Sequence, residues 1–128
     1  MYQKQTVIKG KTITSAFLMA PMVTFGYGVK NGIITDELIS HYEARARGGI
    51  GMIIAEAACV AEDGRLSEYQ TGIWNEDQME GHRMLVSAAH KFKVPILSQL
   101  HHAGIRTVSG RPASPSAFHG TLRGREYT

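Results

Sequence analysis

Three short apolar segments, separated by two segments with helical periodicity, constrain the fold of this chain more than any other feature. The apolar segments are Ser15–Met22, Gly51–Ala58 and Val94–Leu100. None of them alternates cleanly between polar and apolar residues, which is typical of strands buried on both faces of a parallel sheet. Pro95 stands near the start of the third segment, where a strand tolerates proline. We therefore predict three buried strands.

The two intervening segments carry helix signals. The first helix is predicted to begin after Thr35, an N-cap residue, and to end at Gly48-Gly49. The second is predicted to begin at Asn75, with Gln78 three residues later completing a capping-box pattern. Apolar residues recur at helical spacing in both segments: Leu38, Ile39, Tyr42 and Ala46 in the first, and Leu85, Ala88, Ala89 and Phe92 in the second.

The resulting β-α-β-α-β order favours parallel strands joined by right-handed crossovers. Two architectures fit three such strands, an open doubly wound sheet and part of a (β/α)₈ barrel. A dinucleotide-binding sheet requires G-x-G-x-x-G between a strand and the helix that follows it. The glycines of FGYGVKNG, residues 25–32, have a different spacing, and the helix begins only after Thr35. The dinucleotide fingerprint is therefore rejected.

The segments at either end of this pattern are different in character. Thr6–Thr14 is predicted to form a small hairpin that turns at Lys9-Gly10. Residues 101–128 are rich in Gly, Pro, Ser and Arg and show no helical or strand periodicity. A stretch of this length without periodicity predicts either a functional loop or the beginning of a further element.

Composition excludes several classes of function. The net charge of +3 comes from scattered residues, so no dense basic face indicates nucleic-acid binding. No apolar run of about 18 residues predicts a membrane span. With Cys59 as the single cysteine, no internal disulfide can form, which fits a reducing compartment. We therefore expect a cytoplasmic protein that binds neither nucleic acid nor membrane.

The predicted strand ends carry the chemistry, because ligands of parallel α/β folds bind beyond the carboxyl ends of the strands. Small residues and a proline end the first strand, Ala57 ends the second, and Gln99 lies near the end of the third. A glutamine amide offers both an acceptor and a donor, which matches the N–H and C=O edge of a pyrimidine or flavin ring. Gln99 has an equally good alternative role as a residue that ties loops together.

Other polar residues have simpler interpretations. Neighbouring residues on a strand point to opposite faces, so His101 and His102 are not expected to share a metal ion. Cys59 is expected to be a buried or loop thiol. Glu56, within an apolar strand, is expected to bind backbone N–H groups or an arginine rather than to act as an acid or base. No metal site is predicted.

Five segments, in order and spacing, resemble the N-terminal part of the Old Yellow Enzyme family of FMN-dependent (β/α)₈-barrel oxidoreductases. They cover nearly the whole chain and read FLMAPMVT, GIITDELISHYEARARGGIGMIIAEAACVAEDGR, GIWNEDQMEGHRMLVSAAH, ILSQLHHAGIR and RPASPSAF. The resemblance implies that residues 1–128 are the N-terminal portion, about three βα units and a leading hairpin, of a single FMN-binding barrel domain that is truncated here.

The resemblance also implies roles for individual residues. Those expected to contact the flavin are Ala20, Pro21, Met22, Val23, Ala57 and Gln99. His101 and Phe25 are expected to contact substrate at the rim of the pocket. Many relatives carry threonine or cysteine at the position of Val23, whose side chain cannot form a hydrogen bond. Whether Thr24 takes over that role depends on the local register.

The implied activity is hydride transfer from NAD(P)H, through FMN, to an activated alkene or a similar small-molecule acceptor. The family's catalytic residues match no position of this chain, so none is assigned. The alternative is a non-catalytic fragment or interaction module that does not bind flavin. In either case the 128 residues are few for a complete barrel, and we expect weak FMN binding and a homo-oligomer that covers open strand edges.

Overall fold

The computed structural model of the protein describes residues 5–27, 29–110, 112–117, 119–122 and 125–127. No helix in this part of the chain is long and apolar enough to cross a membrane. The strands and α-helices, in chain order, are β1 (Thr6–Ile8), β2 (Lys11–Ile13), β3 (Leu18–Met19), α1 (Asp36–Arg47), β4 (Met52–Cys59), α2 (Met79–His90), β5 (Ile96–His101), β6 (Gly120–Leu122) and β7 (Arg125–Tyr127).

A hairpin of β1 and β2 opens the described chain, as predicted. The strands are antiparallel, with Ile8 paired to Lys11 across the turn. The two turn residues, Lys9 and Gly10, have φ angles of 44° and 76°. Left-handed backbone at both central positions is the geometry of a type I′ turn, which matches the twist of the flanking strands. The glycine makes this turn accessible to the chain.

The central sheet is parallel, with the strand order β3-β4-β5. The predicted β-α-β-α-β order is therefore confirmed. The prediction that the strands are buried holds for β4 but is wrong for β3 and β5, whose residues are half-buried or exposed. The core packs against one face of the sheet, and Leu18 and Leu97 lie on the other. The first strand is shorter than the predicted Ser15–Met22, because only Leu18 and Met19 pair with β4. Beyond them Pro21 has no N–H to donate to a ladder. In addition, residues 70–73 run beside the carboxyl end of β4, where Gly72 bridges Cys59.

The first helix begins and ends with the caps that the sequence predicts, whereas the second differs from the prediction at both ends. Thr35 accepts a hydrogen bond from the Leu38 N–H in α1, and the left-handed Gly49 follows its last turn. Asn75 and Gln78 form a capping box, but it closes a 3₁₀ turn, and α2 begins only at Met79. The helix also ends at His90, before the predicted Phe92, although Phe92 still packs against the core.

The core lies between the two helices and the outer face of the parallel sheet. Burial of its side chains is the main favourable contribution to the stability of this part of the chain. The buried members of the cluster are Val29, Ile34, Leu38, Tyr42, Ala46, Ile53, Ala55, Leu85, Ala89 and Val94. Most of the predicted helical stripe residues are among them, with Ile39 and Phe92 packed at the margin.

A β-bulge interrupts the pairing of β4 with β5. Ala55 pairs with Ser98 and Ala57 pairs with Gln99, so Glu56 is an extra residue on β4 without a partner on β5. Its backbone N–H instead donates to the Tyr42 hydroxyl of α1 at 2.8 Å. The helix thus satisfies a backbone donor that the sheet cannot.

The segment after β5 contains more structure than its sequence indicates. A 3₁₀ turn spans Gly104–Arg106, and β6 and β7 form an antiparallel hairpin. Both elements are short, so the prediction from periodicity missed them. Residues 123, 124 and 128 lie outside the described residues.

Candidate functional site

The carboxyl ends of the three parallel strands meet at one edge of the sheet, and the predicted site residues lie there. Ala57 and Gln99 are direct register partners on β4 and β5. Partners in adjacent strands project from the same face, so the alanine methyl and the glutamine amide lie side by side. Ala20, Pro21, Met22 and Val23 follow β3 immediately. The structure therefore brings the end of each strand to a common edge.

Gln99 is exposed, and among the described residues its side-chain amide has no hydrogen-bond partner. The amide therefore keeps both its donor and its acceptor for a ligand. Ala57 beside it is nearly buried. A small residue there leaves the glutamine accessible from the inner face of the sheet, opposite the helices. The alternative role of Gln99, which is to tie loops together, has no support from the hydrogen bonds of the described residues.

The segment after β3 presents an uneven surface. Met22 is 65% exposed and Ala20 is also exposed, while Pro21 and Val23 are half-buried. The following residue, Thr24, turns towards β4. Its backbone N–H donates to the Glu56 carboxylate at 3.3 Å, and its hydroxyl oxygen is buried without a partner in the part of the chain that the structure describes. Thr24 therefore does not place its hydroxyl on the exposed surface. It does not replace the hydrogen-bonding side chain that Val23 lacks.

Glu56 has the structural role expected for it. The side chain is 2% exposed, and one carboxylate oxygen accepts from Thr24 while the other has no partner among the described residues. Burial is the main reason why the pKa of this carboxyl is raised above its ordinary value, and hydrogen bonding with Thr24 opposes that shift. Glu56 connects the segment after β3 to the middle strand.

The two residues predicted to contact substrate lie on the rim of this edge. His101 ends β5, two residues beyond Gln99 and on the same face of the strand. Phe25 is 54% exposed and has a φ of 50°, a left-handed conformation that is rare for a bulky residue. Its exposed ring is available to a ligand, although no contact joins it to His101 among the described residues.

Gln70 is the residue of this site that the sequence analysis missed. It lies in the connection between β4 and α2 and is fully buried. Its side-chain nitrogen lies 2.9 Å from the Ala57 carbonyl oxygen and 3.1 Å from His101 Nδ1. No periodicity or motif surrounds Gln70, so only its burial in the folded chain reveals it.

The segment after β5 holds the segment after β4 in place. The Ala103 N–H donates to the Gly64 carbonyl at 2.8 Å, and Val108 N–H donates to Arg65 O at 2.9 Å. A Cβ on Gly64 would lie 2.4 Å from the His102 ring, so the close approach requires glycine. His102 Nδ1 in turn accepts from the Gly104 N–H at 3.0 Å. His102 therefore belongs to the turn.

Cys59 is buried at the end of β4, and its thiol donates to the Ala61 carbonyl at 3.0 Å. Burial raises the pKa of this thiol, which disfavours the reactive thiolate. Within the described part of the chain, no group of three or more His, Cys, Asp or Glu side chains could hold a metal ion. Gln99 contributes an amide and His101 an imidazole to this edge.

These residues fit a flat heteroaromatic ring with a donor–acceptor edge, as in the isoalloxazine of FMN. The free amide of Gln99 matches the pyrimidine edge of the ring. The exposed small and apolar side chains after β3 match its faces. Gln99, Ala57 and the segment Ala20–Val23 would hold the ring.

The model of the "NADH:flavin oxidoreductase / NADH oxidase family" matches residues 6–121. An NADPH dehydrogenase of Listeria welshimeri is 39% identical over 112 residues, which are 87% of this chain and 33% of that protein. An NADPH dehydrogenase of Halalkalibacterium halodurans is 39% identical over 88% of this chain and 33% of its own length. The chain spans about a third of the length of the curated relatives it matches.

Solved structures give the same result for the fold. An Old Yellow Enzyme homologue of Zymomonas mobilis superposes with a TM-score of 0.83 at 26% identity, over 98% of this chain and 36% of its own. The Old Yellow Enzyme of Trypanosoma cruzi superposes with a TM-score of 0.80 at 26% identity, over 91% of this chain and 35% of its own. The predicted fold, part of a (β/α)₈ barrel, is confirmed, and FMN is the cofactor of the matching family.

Proposed function

Because this chain belongs to the NADH:flavin oxidoreductase / NADH oxidase family, we propose that it is the part of an FMN-dependent oxidoreductase that binds the pyrimidine edge of the flavin. Residues 1–128 would form the N-terminal portion of one barrel domain. The observation that carries the proposal is the exposed amide of Gln99, which lies beside the methyl of Ala57 and has no hydrogen-bond partner among the described residues. FMN, when bound, supplies the hydride-transfer chemistry.

The net reaction that we propose for the whole protein is hydride transfer from NAD(P)H to an activated alkene or a similar small acceptor. The residues of this chain would bind and orient rather than transfer protons. Gln99 would fix the ring in its plane through two hydrogen bonds. Ala20–Val23 would contact the ring, and His101 and Phe25 would contact the acceptor.

The direct test is titration of the ¹⁵N-labelled chain with FMN, monitored through the side-chain amides by NMR. We expect the Gln99 NH₂ resonances to shift while those of buried Gln70 stay in place, which provides a control within the same molecule. Since the proposed contacts involve only the ring, we expect binding weaker than micromolar. Binding without any shift of the Gln99 amide would contradict the proposed site.

A pair of variants sharpens the same test. Gln99→Leu removes both hydrogen bonds to the ring, and we expect binding about tenfold weaker, the effect of losing roughly 1.4 kcal/mol. Ser98→Ala alters the neighbouring exposed residue on the opposite face of β5. We expect the affinity of Ser98→Ala to equal that of the wild type. Equal affinities for all three proteins would exclude Gln99 as a flavin ligand.

A second candidate function is that of a non-catalytic fragment or interaction module. The observation that favours it is the exposure of large apolar strand residues, among them Leu97 and Leu100. Such surfaces favour association with protein rather than catalysis. An absorbance spectrum of the purified protein discriminates between the two candidates, because bound oxidised flavin absorbs visible light and a flavin-free module does not.

A further inference from the structure

The environment of Gln70 determines which of its side-chain atoms faces His101. Gln70 is 0% exposed, and its amide contacts three groups. The Leu66 N–H lies 2.7 Å from the side-chain oxygen. The Ala57 carbonyl oxygen and His101 Nδ1 lie 2.9 and 3.1 Å from the side-chain nitrogen.

Two of these groups have only one possible role. A backbone N–H can only donate, and a backbone carbonyl can only accept. Leu66 therefore requires the oxygen of the Gln70 amide, and Ala57 requires its nitrogen. Exchanging the two amide atoms would place two donors together at Leu66 and two acceptors together at Ala57. The backbone thus determines an orientation that side chains alone would leave ambiguous.

The orientation of Gln70 in turn determines the proton position on His101. The amide nitrogen facing Nδ1 is a donor, so Nδ1 must be the acceptor. A neutral imidazole with an accepting Nδ1 carries its proton on Nε2. Burial, and secondarily the neighbouring His102, lower the pKa of His101, which favours the neutral ring.

His101 is half-buried at the end of β5, on the same face as Gln99. Its ring is therefore fixed on one side by Gln70 and partly accessible. An N–H donor at this place can bind a ligand atom with a lone pair, such as a carbonyl or nitro oxygen. The same N–H donor cannot form a hydrogen bond with a cationic group that has no lone pair.

We propose that Gln70 is a positioning residue that fixes His101 as a neutral Nε2–H donor at the rim of the site, where this N–H donates to an oxygen atom of the bound acceptor. The acceptor part of this inference rests on the proposed function. The positioning part does not, because it depends only on contacts within the chain.

His102 is an internal control for the proton position. Its Nδ1 accepts from the Gly104 N–H at 3.0 Å, so it should also carry its proton on Nε2. No contact joins it to Gln70 among the described residues. A change at Gln70 should therefore alter the resonances of His101 and leave those of His102 in place.

The primary measurement is NMR of the full chain with ¹⁵N-labelled histidine and glutamine at neutral pH. We expect the pattern of a neutral Nε2–H imidazole for His101, and a scalar coupling between Gln70 Nε2 and His101 Nδ1 across their hydrogen bond. A proton on His101 Nδ1, as a neutral tautomer or as imidazolium, would overturn the inference. This measurement on the wild-type chain needs no variant to fold.

Two substitutions test the cause. Gln70→Glu replaces the donor by an acceptor, so we expect loss of the coupling and transfer of the His101 proton to Nδ1. Gln70→Leu removes the donor without adding an acceptor, and we expect loss of the coupling with a mixture of tautomers. An unchanged His101 pattern in folded Gln70→Glu would show that Gln70 does not determine the proton position.

The acceptor part is tested with cyclohex-2-enone, added with and without FMN. We expect the His101 Nε2–H resonance to shift with the enone, and that shift to be lost in Gln70→Glu. If the enone moves His101 in neither condition, the acceptor part is overturned. If FMN leaves the Gln99 amide unshifted while His101 keeps its Nε2 proton, the proposed function fails and the positioning role of Gln70 stands.

Discussion

Tyr42 shows how much one hydroxyl can matter where a sheet departs from regular pairing. Its ring is fully buried in the core, and its oxygen accepts the Glu56 N–H at 2.8 Å. Burial raises the pKa of this phenol to about 12, so it stays protonated across the physiological range. Without the hydroxyl, the extra residue of the bulge would have a buried backbone donor and no acceptor.

We therefore predict that Tyr42→Phe lowers the free energy of unfolding by about 1–3 kcal/mol, the cost of an unsatisfied buried donor. Urea denaturation followed by circular dichroism, at fixed protein concentration, measures this change. Tyr69→Phe is the matched control, because Tyr69 is 49% exposed. Equal losses in the two variants would show that the hydrogen bond to Glu56 contributes nothing.

Glu56 gives a prediction for the dependence of stability on pH. Its pKa is raised in the folded chain above the ordinary value of 4.5, so the folded state holds the proton more tightly than the unfolded state. The free energy of unfolding contributed by this group is therefore fully present below pH 4.5, and it falls as pH rises through the folded pKa. Burial of an incompletely paired charge is the physical cause.

Glu56→Gln should remove this part of the pH dependence and raise the free energy of unfolding at pH 8 by about 1 kcal/mol. The amide still accepts from the Thr24 N–H. Urea denaturation of wild type and variant at pH 5 and pH 8 gives the comparison. Glu80→Gln is the control, since Glu80 forms only an exposed ion pair with Arg83. A variant less stable than the wild type at both pH values would refute this account.

At the scale of single residues, the sequence predicts groups whose role follows from their position along a strand. Gln99 is predicted in this way, because a polar residue near the end of an apolar strand is expected at the ligand edge of a parallel sheet. It lies at that edge, and its contact with a flavin stays a prediction. Gln70 could not be found in this way. Its role depends on contacts with Ala57 and His101, the latter 31 residues away. No local sequence pattern around Gln70 indicates a contact over that distance along the chain.

At the scale of elements, the approach of the leading hairpin to the sheet depends on one glycine. A Cβ on Gly51 would lie 2.2 Å from the Ser15 carbonyl oxygen and 2.9 Å from the Ile13 side chain. Moving the neighbouring backbone costs more free energy than moving the end of a flexible side chain. The Gly51 N–H also donates to the Phe17 carbonyl at 2.8 Å. These contacts connect the residues just before β3 with the residue just before β4.

We predict that Gly51→Ala destabilises the protein by about 1–3 kcal/mol, the usual cost of overpacking. Gly48→Ala is the control, because its φ is −70° and its nearest contacts are 3.4 Å from the added Cβ. Thermal unfolding should separate the two variants clearly. If Gly48→Ala is as destabilising as Gly51→Ala, close backbone approach is not what requires the glycine.

The existence and order of the main elements could be predicted because they depend on local periodicity and caps. Thr35 and Gly49 bound α1 where the sequence indicates, and the capping box of Asn75 begins the 3₁₀ turn that precedes α2. The extent of β3 could not be predicted, since only Leu18 and Met19 pair with β4, and the local sequence does not reveal that long-range pairing. Strand ends are determined by partners distant in sequence, whereas helix ends are determined by neighbours.

At the scale of the whole molecule, apolar side chains on both faces of the sheet remain uncovered. Leu18 and Leu97 are exposed on the face opposite Met19 and Ile96, which pack against the core. Leu100, at 65% exposure, is uncovered on the outer face. Exposed apolar strands promote association between chains.

We therefore predict that the 128-residue chain forms oligomers, with a weight-average mass in sedimentation velocity at least that of a dimer. Leu97→Lys should lower that mass by placing a charge on the exposed face. Met84→Lys is the matched control, because Met84 is similarly exposed but lies on α2. A monodisperse monomer of the wild type would contradict this prediction.

The bulge at Glu56 has a consequence for how this strand can change in evolution. Side chains alternate along a strand by odd and even count, so a regular register after Ala55 would place Glu56, not Ala57, opposite Gln99. The position beside Gln99 on the inner face of the sheet would then carry a carboxylate instead of a methyl group. The extra residue of the bulge thus keeps a negative charge away from that position. Insertion or deletion of one residue here would exchange the methyl group and the carboxylate.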